Sequence, residues 1–349
     1  MKAGRVKTKQ EKFMKRIISY GLMMAIAVSA GLELASANAS VQTGDELLRY
    51  LPDASGVALI DFQKITGSAF WSTFSNEQRF KSTIEKAESE ISDVGVKLAD
   101  VRALALAFPA GNMGSPIVAI TGSFDQNTVL EHLKSNAKIK VTSEKYKGLD
   151  LYKISPATGN SSPNKEQSTT KPSAFKSENA FVFHDSNTVI AGTVDGVRAS
   201  IDVISSGSSS VAQDRLLTDA LAENPSAAIR FALSVTPAMT GPLQSSELPV
   251  PDFSSIKLIF GGVDVSSGLA LNATLRNDTA EHAKSIAERL NGLLSMAKGY
   301  LGAAQNAKTA PIVGALNTVS IVSVDIDVKV TGSVPADLLS SLFGSPAKK

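Results

Sequence analysis

The chain has 349 residues, 35 basic and 33 acidic side chains, a net charge of +2, three histidines and no cysteine. Hydrophobic residues at 43% and charged residues at 19% exclude a chain disordered throughout, and the length suits about two domains with a substantial core. The lack of cysteine excludes a disulfide scaffold, a zinc ribbon, a thiolate-held iron–sulfur cluster and a cysteine nucleophile.

Residues 1–39 read as an export signal. Lys2, Arg5, Lys7, Lys9, Lys12, Lys15 and Arg16 precede an uncharged apolar run from Ile17 to Leu32, and Ala37-Asn38-Ala39 supplies a small-residue exit. Cleavage between Ala39 and Ser40 would leave the mature chain periplasmic or secreted. The competing reading is a membrane anchor, but the apolar run is 16 residues, short of the roughly 18–20 that a spanning helix needs. Met14 offers an alternative start. The segment holds seven of the 35 basic and two of the 33 acidic residues, so 28 basic and 31 acidic residues remain, a net of −3. No later stretch clusters Lys and Arg with aromatics, which argues against a nucleic-acid partner.

After the turn at Pro52-Asp53, residues 57–62 read as a strand. Ser75 and Gln78 resemble a capping box opening a helix to Leu98, with Phe80, Ile84, Ala87, Ile91 and Val94 on one stripe. Strands are expected at 101–108 and 117–124. A helix capped by Asp125 follows, and then a hairpin of 138–146 and 149–154. Residues 155–179 carry Pro156, Pro163 and Pro172 among Ser, Thr, Asn and Lys, and read as a flexible insertion. Strands at 180–185 and 188–194 and a helix near 196–205 resume the pattern.

The second half offers a helix near 213–222, strands at 227–235, 256–265 and 268–276, and a proline-rich stretch from Pro237 to Pro251. Asp278 with Glu281 suggests a capping box for a long helix carrying Ala283, Ala287, Leu290, Leu294 and Ala297. A single strand is expected over 318–331, then a helix from Pro335 with Leu338, Leu339 and Leu342.

Three short matches recur in order. Ser55 pairs with Ser226, Glu131-His132-Leu133-Lys134-Ser135 with Glu281-His282-Ala283-Lys284-Ser285, and Asn187-Thr188-Val189 with Asn317-Thr318-Val319. They point to a tandem duplication of α+β units at 40–210 and 211–343, followed by a tail at 344–349. Each unit is expected to be an antiparallel sheet with helices on one face.

Candidate chemistry is sparse. His184-Asp185-Ser186 holds three triad residue types, yet strand neighbours point to opposite faces, and a hairpin turn explains them better. His132 and His282 lack a second histidine at helical spacing, so no metal site and no cofactor are expected. Asp325 and Asp327, with Asp264, are carboxylates that acid–base chemistry would need, but alternation with valines equally marks the wet side of a sheet. The weak catalytic candidates are therefore Asp325, Asp327 and His184. Phe70, Trp71, Phe74 and Phe80 read as core.

Leu51-Pro52-Asp53-Ala54-Ser55-Gly56-Val57-Ala58-Leu59-Ile60-Asp61 is similar to the opening of uncharacterised secreted bacterial proteins grouped as domains of unknown function. There a turn leads into a strand and hairpin–helix units recur. The resemblance extends over most of residues 46–343 and implies no catalytic residues. The expected function is a non-enzymatic envelope protein, binding or structural, with an unknown envelope or small-molecule partner. The alternatives are an extracytoplasmic hydrolase with a dispersed active site and a carrier of an apolar ligand.

Overall fold

The computed structural model describes residues 44–335, apart from parts of 76–94 and positions 111–113, 138, 158–178, 237–238, 240–252 and 304–309, together with Leu338 and Leu339. The export signal, most of the 155–179 insertion, parts of the 75–98 helix including Phe80, most of the proline-rich stretch and the tail lie outside the described residues.

The strands are β1 (Gly56–Asp61), β2 (Val101–Phe108), β3 (Ile117–Gly122), β4 (Ile139–Tyr146), β5 (Leu149–Pro156) and β6 (Asn179–Phe183). They continue as β7 (Thr188–Thr193), β8 (Ile229–Ser234), β9 (Ile256–Asp264), β10 (Gly268–Asn277), β11 (Ser320–Val324) and β12 (Asp327–Pro335). Helices are α1 (Gly44–Leu47), α2 (Phe62–Thr66), α3 (Ala69–Phe74), α4 (Gln126–Ser135), α5 (Val194–Ser206), α6 (Arg215–Ala222), α7 (Ala280–Ala303) and α8 (Ala310–Asn317). The protein is α+β, and its strands form one antiparallel sheet in the order β11-β12-β10-β9-β8-β1-β2-β3-β7-β6-β5-β4.

One sheet of 12 strands replaces the two expected sheets. The cause is the seam between β1 and β8, which pair antiparallel from Gly56↔Leu233 to Ile60↔Ile229. Each strand would otherwise be an exposed edge, and pairing them satisfies both rows of backbone groups. Glycine fits the seam closely, since a Cβ at Gly56 would lie 2.6 Å from Cδ1 of Leu233. Outward from the seam the order is β1-β2-β3-β7-β6 on one side and β8-β9-β10-β12-β11 on the other, with the β4–β5 hairpin added to the first.

Helices cover both faces in the first half, where one face was expected. The strands nearest the seam are apolar on both sides, as in Ala103-Leu104-Ala105-Leu106-Ala107, so both need cover. Val57, Leu59, Ala105, Ala119 and Ile190 pack with Val197 and Ile201 of α5 and Leu217 and Leu221 of α6. On the opposite face, Ile60 and Leu106 pack with Phe62, Ile65, Phe70, Trp71 and Phe74, which places the aromatic cluster in the core. Val129 and Leu133 of α4 pack on Tyr152, Ile154 and Phe181. Ala283, Ile286 and Ala287 of α7 pack on Ile256 and Val328.

Local capping sets several helix starts. Asp125 accepts from Thr128 N at 2.9 Å and Asp214 from Leu216 N at 2.9 Å. At α7 the N-cap is Thr279, whose hydroxyl accepts from His282 N at 3.2 Å, in place of the expected Asp278. The strand expected over 318–331 is a hairpin, because Asp325 takes a left-handed φ of 51° and turns the chain between β11 and β12. Aspartate tolerates that region better than most side chains. Among the described residues no helix is long and apolar enough to cross a membrane.

Candidate functional site

The weak catalytic candidates are dispersed. Asp325 forms the β11–β12 turn, and Asp327 is held by Arg276 through two bonds, Nε to Oδ1 and Nη2 to Oδ2, both 2.9 Å. Arg276 also stacks 5.1 Å from the ring centroid of Phe260 and lies 3.6 Å from Glu223. The Asp327 carboxylate is thus committed to joining β10 with β12. Asp264 closes the β9–β10 turn, accepting from Ser266 N at 2.7 Å and its hydroxyl at 2.5 Å.

His184 sits in the β6–β7 hairpin, where Asp185 accepts from Asn187 N at 2.8 Å as a turn-forming side chain. Its ring lies 4.7 Å from that of Tyr50, and its buried Nδ1 has no hydrogen-bond partner among the described residues. β7 and β6 lie seven and eight strands from β12, on the order of 35 Å at strand spacing, so His184 and Asp327 cannot share a substrate. His132 on α4 bonds through Nδ1 with Thr128 O at 3.0 Å. Among the described residues no three His, Asp or Glu side chains converge as a metal site.

His282 is different. It lines a polar cleft of about 280 Å³ between the start of β9 and the first turns of α7, with Ser254, Ser255, Asp278, Ser285, Ile286 and Arg289. The segments that enter β9 and leave β10 supply one wall and α7 the other, because Ile256, Ala283 and Ile286 bury the contact beneath them. Asn277 forms the base of this corner. Only 1% exposed, it donates from its backbone N to Ile326 O at 2.8 Å and from Nδ2 to Leu275 O at 2.9 Å, and it accepts from the Ser255 hydroxyl at 3.1 Å. Every polar group of that buried side chain is therefore used, which fixes the strand end that leads into Asp278.

Asp278 Oδ1 lies 2.6 Å from His282 Nδ1, and Oδ2 lies 3.8 Å from Lys257 Nζ. The hydrogen bond with His282, helped by its charge and that of Lys257, holds the Asp278 carboxyl below the usual aspartate range. An ionised Asp278 only accepts, so Nδ1 carries the proton and Nε2 of His282 is left for a ligand. Arg289, two turns along α7, has no hydrogen bond or ion pair among the described residues. With Asp278 matched by Lys257, the guanidinium is the uncompensated charge of the cleft.

His282 stands in the sequence as an isolated helical histidine and Asp278 as a helix cap. Ser254, Ser255, Asn277, Lys257 and Arg289 carried no signal, because they converge only when β9, β10 and α7 pack. A pair of Asp and His at i and i+4 was the one legible clue.

No protein-family model and no curated protein matches the chain. Among solved structures, crystal form III of TP0453 is similar at TM-score 0.47 and 10% identity, over 87% of this chain and 98% of that one. Crystal form IV of TP0453 gives TM-score 0.44 and 9% identity, over 85% and 96%. Likeness at these scores assigns neither ligand nor activity to this chain.

Proposed function

We propose that the chain is an exported, non-enzymatic binding protein of the cell envelope, periplasmic or secreted, whose ligand site is the cleft between β9 and α7. The observation that carries the site is the guanidinium of Arg289, without a partner among the described residues, in one polar-lined cavity with an Asp278-anchored imidazole. Such a lining suits a small polar ligand better than the apolar cargo of a carrier. Export rests on the basic start, apolar run and Ala37-Asn38-Ala39 exit. Purification of the mature protein under native conditions, followed by mass spectrometry, tests the binding role. A small molecule should co-purify with the wild type and be depleted in Arg289→Ala. N-terminal sequencing should begin at Ser40, and secreted material beginning before Ser36 would overturn the cleavage.

A tandem duplication belongs to the same proposal. The two halves share a strand order outward from the seam, and the Glu-His-x-Lys-Ser words fall on α4 and α7, each following its half's third strand. Within those helices the words are one turn out of step, as His132 is seventh in α4 and His282 third in α7. The third word does not correspond, since Asn187 leads into β7 beside β3 while Asn317 leads into the outermost strand, β11.

A hydrolase is the second reading, and the Asp278–His282 pair favours it, since an imidazole oriented by a carboxylate is what a serine nucleophile requires. Ser254 or Ser285 would be that nucleophile. Covalent labelling of either serine by a fluorophosphonate, lost in His282→Gln, would establish this reading and displace the first.

A further inference from the structure

We infer that the cleft recognises an oxyanion, a carboxylate or phosphate group carried by a small molecule, with Arg289 and His282 as its binding residues and Asp278 as the residue that positions His282. This rests on the binding reading above and specifies its ligand class.

Three observations point the same way. Charge comes first: Lys257 and His282 flank the Asp278 carboxylate, and Arg289 lines the cleft with no ion-pair partner among the described residues. A guanidinium presents five donors in a fork that matches an oxyanion, and water alone leaves that geometry unused. The second is orientation. The 2.6 Å contact between Asp278 Oδ1 and His282 Nδ1 fixes the ring, so Nε2 is turned away from the carboxylate. The third is size, since a cleft of about 280 Å³ has room for a small molecule beyond its charged head. The His282 amide is not available to a ligand, because Thr279 already accepts from it.

Among the described residues the charged groups near the imidazole are Asp278 just before α7, Lys257 on β9, and Arg289 further along α7. Glu281, Lys284 and Glu288 are exposed and lie outside the lining. When His282 gains a second proton, Nε2 becomes a donor and the cleft gains a positive charge. A protonated His282 would therefore hold an anion more tightly than a neutral one.

The test uses the mature chain with inorganic phosphate and acetate as separate probes, read by isothermal titration and by NMR shifts of α7. Saturable binding of at least one probe is expected, and the stronger of the two identifies the head group. Arg289→Gln should weaken it about tenfold or more, with Arg289→Lys in between. His282→Gln should weaken it as well, since the oriented Nε2 is lost. Arg289 is exposed and unpartnered, so unchanged thermal unfolding of the Arg289 variants serves as the folding control. Absence of saturable binding to the wild type, or binding that Arg289→Gln leaves intact, overturns the assignment. A neutral molecule recovered by native purification and lost in Arg289→Ala would overturn it too, while leaving the binding role standing.

Discussion

Asn291 of α7 reaches across to β11 and donates from Nδ2 to the carbonyl of Ile321 at 3.0 Å, while bonding its own helix at Ala287 O at 2.9 Å. β11 is the last strand of the sheet, and Ser320–Val324 contains no charge or proline to discourage pairing with another chain. Val322 and Val324 are exposed on it. The Asn291 amide thus occupies one acceptor of an otherwise open edge.

Asn291→Ala should free that carbonyl. The lost bond costs about 1 kcal/mol of stability, and concentration-dependent self-association should appear in sedimentation velocity. A variant that stays as monodisperse as the wild type at every concentration would show that the edge needs no guard.

Phe260 is fully buried in the largest core cluster and carries the Arg276 guanidinium over its ring. Phe260→Ala should cost about 3–5 kcal/mol, the range for emptying a buried aromatic site. Urea unfolding of both proteins gives the difference, and a loss under about 1 kcal/mol would mean that the site collapses freely.

Gly261 of β9 faces the backbone of β10, and a Cβ there would overlap the carbonyl oxygen of Asn272. The obstacle is ladder backbone, which cannot rotate aside. Gly261→Ala should therefore destabilise by about 1–3 kcal/mol, by crowding, whereas at Gly148 the constraint is a left-handed φ of 88°. Thermal unfolding of Gly261→Ala distinguishes these outcomes.

The β4–β5 hairpin is fastened to α5 by two carboxylates. Glu144 bonds Lys153 at 2.7 Å and Arg198 at 2.6 Å, and Asp202 bonds Lys147 at 2.7 Å and the Tyr146 hydroxyl at 3.0 Å. Lys153 first and then Arg198 lower the Glu144 pKa, and Lys147 leads the lowering at Asp202. Because both folded-state values are depressed, their contribution is complete above the ordinary carboxylate range and fades as the pH falls through the lowered values. The groups are solvent-accessible, so the effect is local and modest. Hydrogen exchange in β4 and β5 should quicken below about pH 4 relative to β1 and β2, after correction for intrinsic rates. Uniform protection across all four strands would contradict this.

Asp325 pays for its turn with a left-handed backbone, so Asp325→Gly should be neutral or stabilise by up to about 1 kcal/mol. Ligand binding at the α7 cleft should be unchanged. A loss of binding would return Asp325 to the list of functional residues.

Much of this architecture was legible in the sequence. β-rich runs bounded by turn residues placed β2 at 101–108 to the residue and β4 through β10 within a few positions, because composition and turn chemistry are local. Alternation misled at Val324-Asp325-Ile326-Asp327, where it continues straight through a turn. Parity cannot register a left-handed φ at one aspartate.

Composition, the N-terminal pattern, the α+β class and the elements themselves depend on local order, and local order is what the chain of residues encodes most directly. The single sheet and the cleft depend on something else. β1 and β8 join through backbone groups that every residue carries, so Gly56 and Leu233 announce no partner. Ser255, Asn277, Asp278, His282 and Arg289 belong to three elements, and only the packing of Ile256 against Ala283 and Ile286 brings them to one place. Sequence alone set the faces and the periods; tertiary packing, which minimises exposed apolar surface and unpaired backbone, decided which faces and edges met.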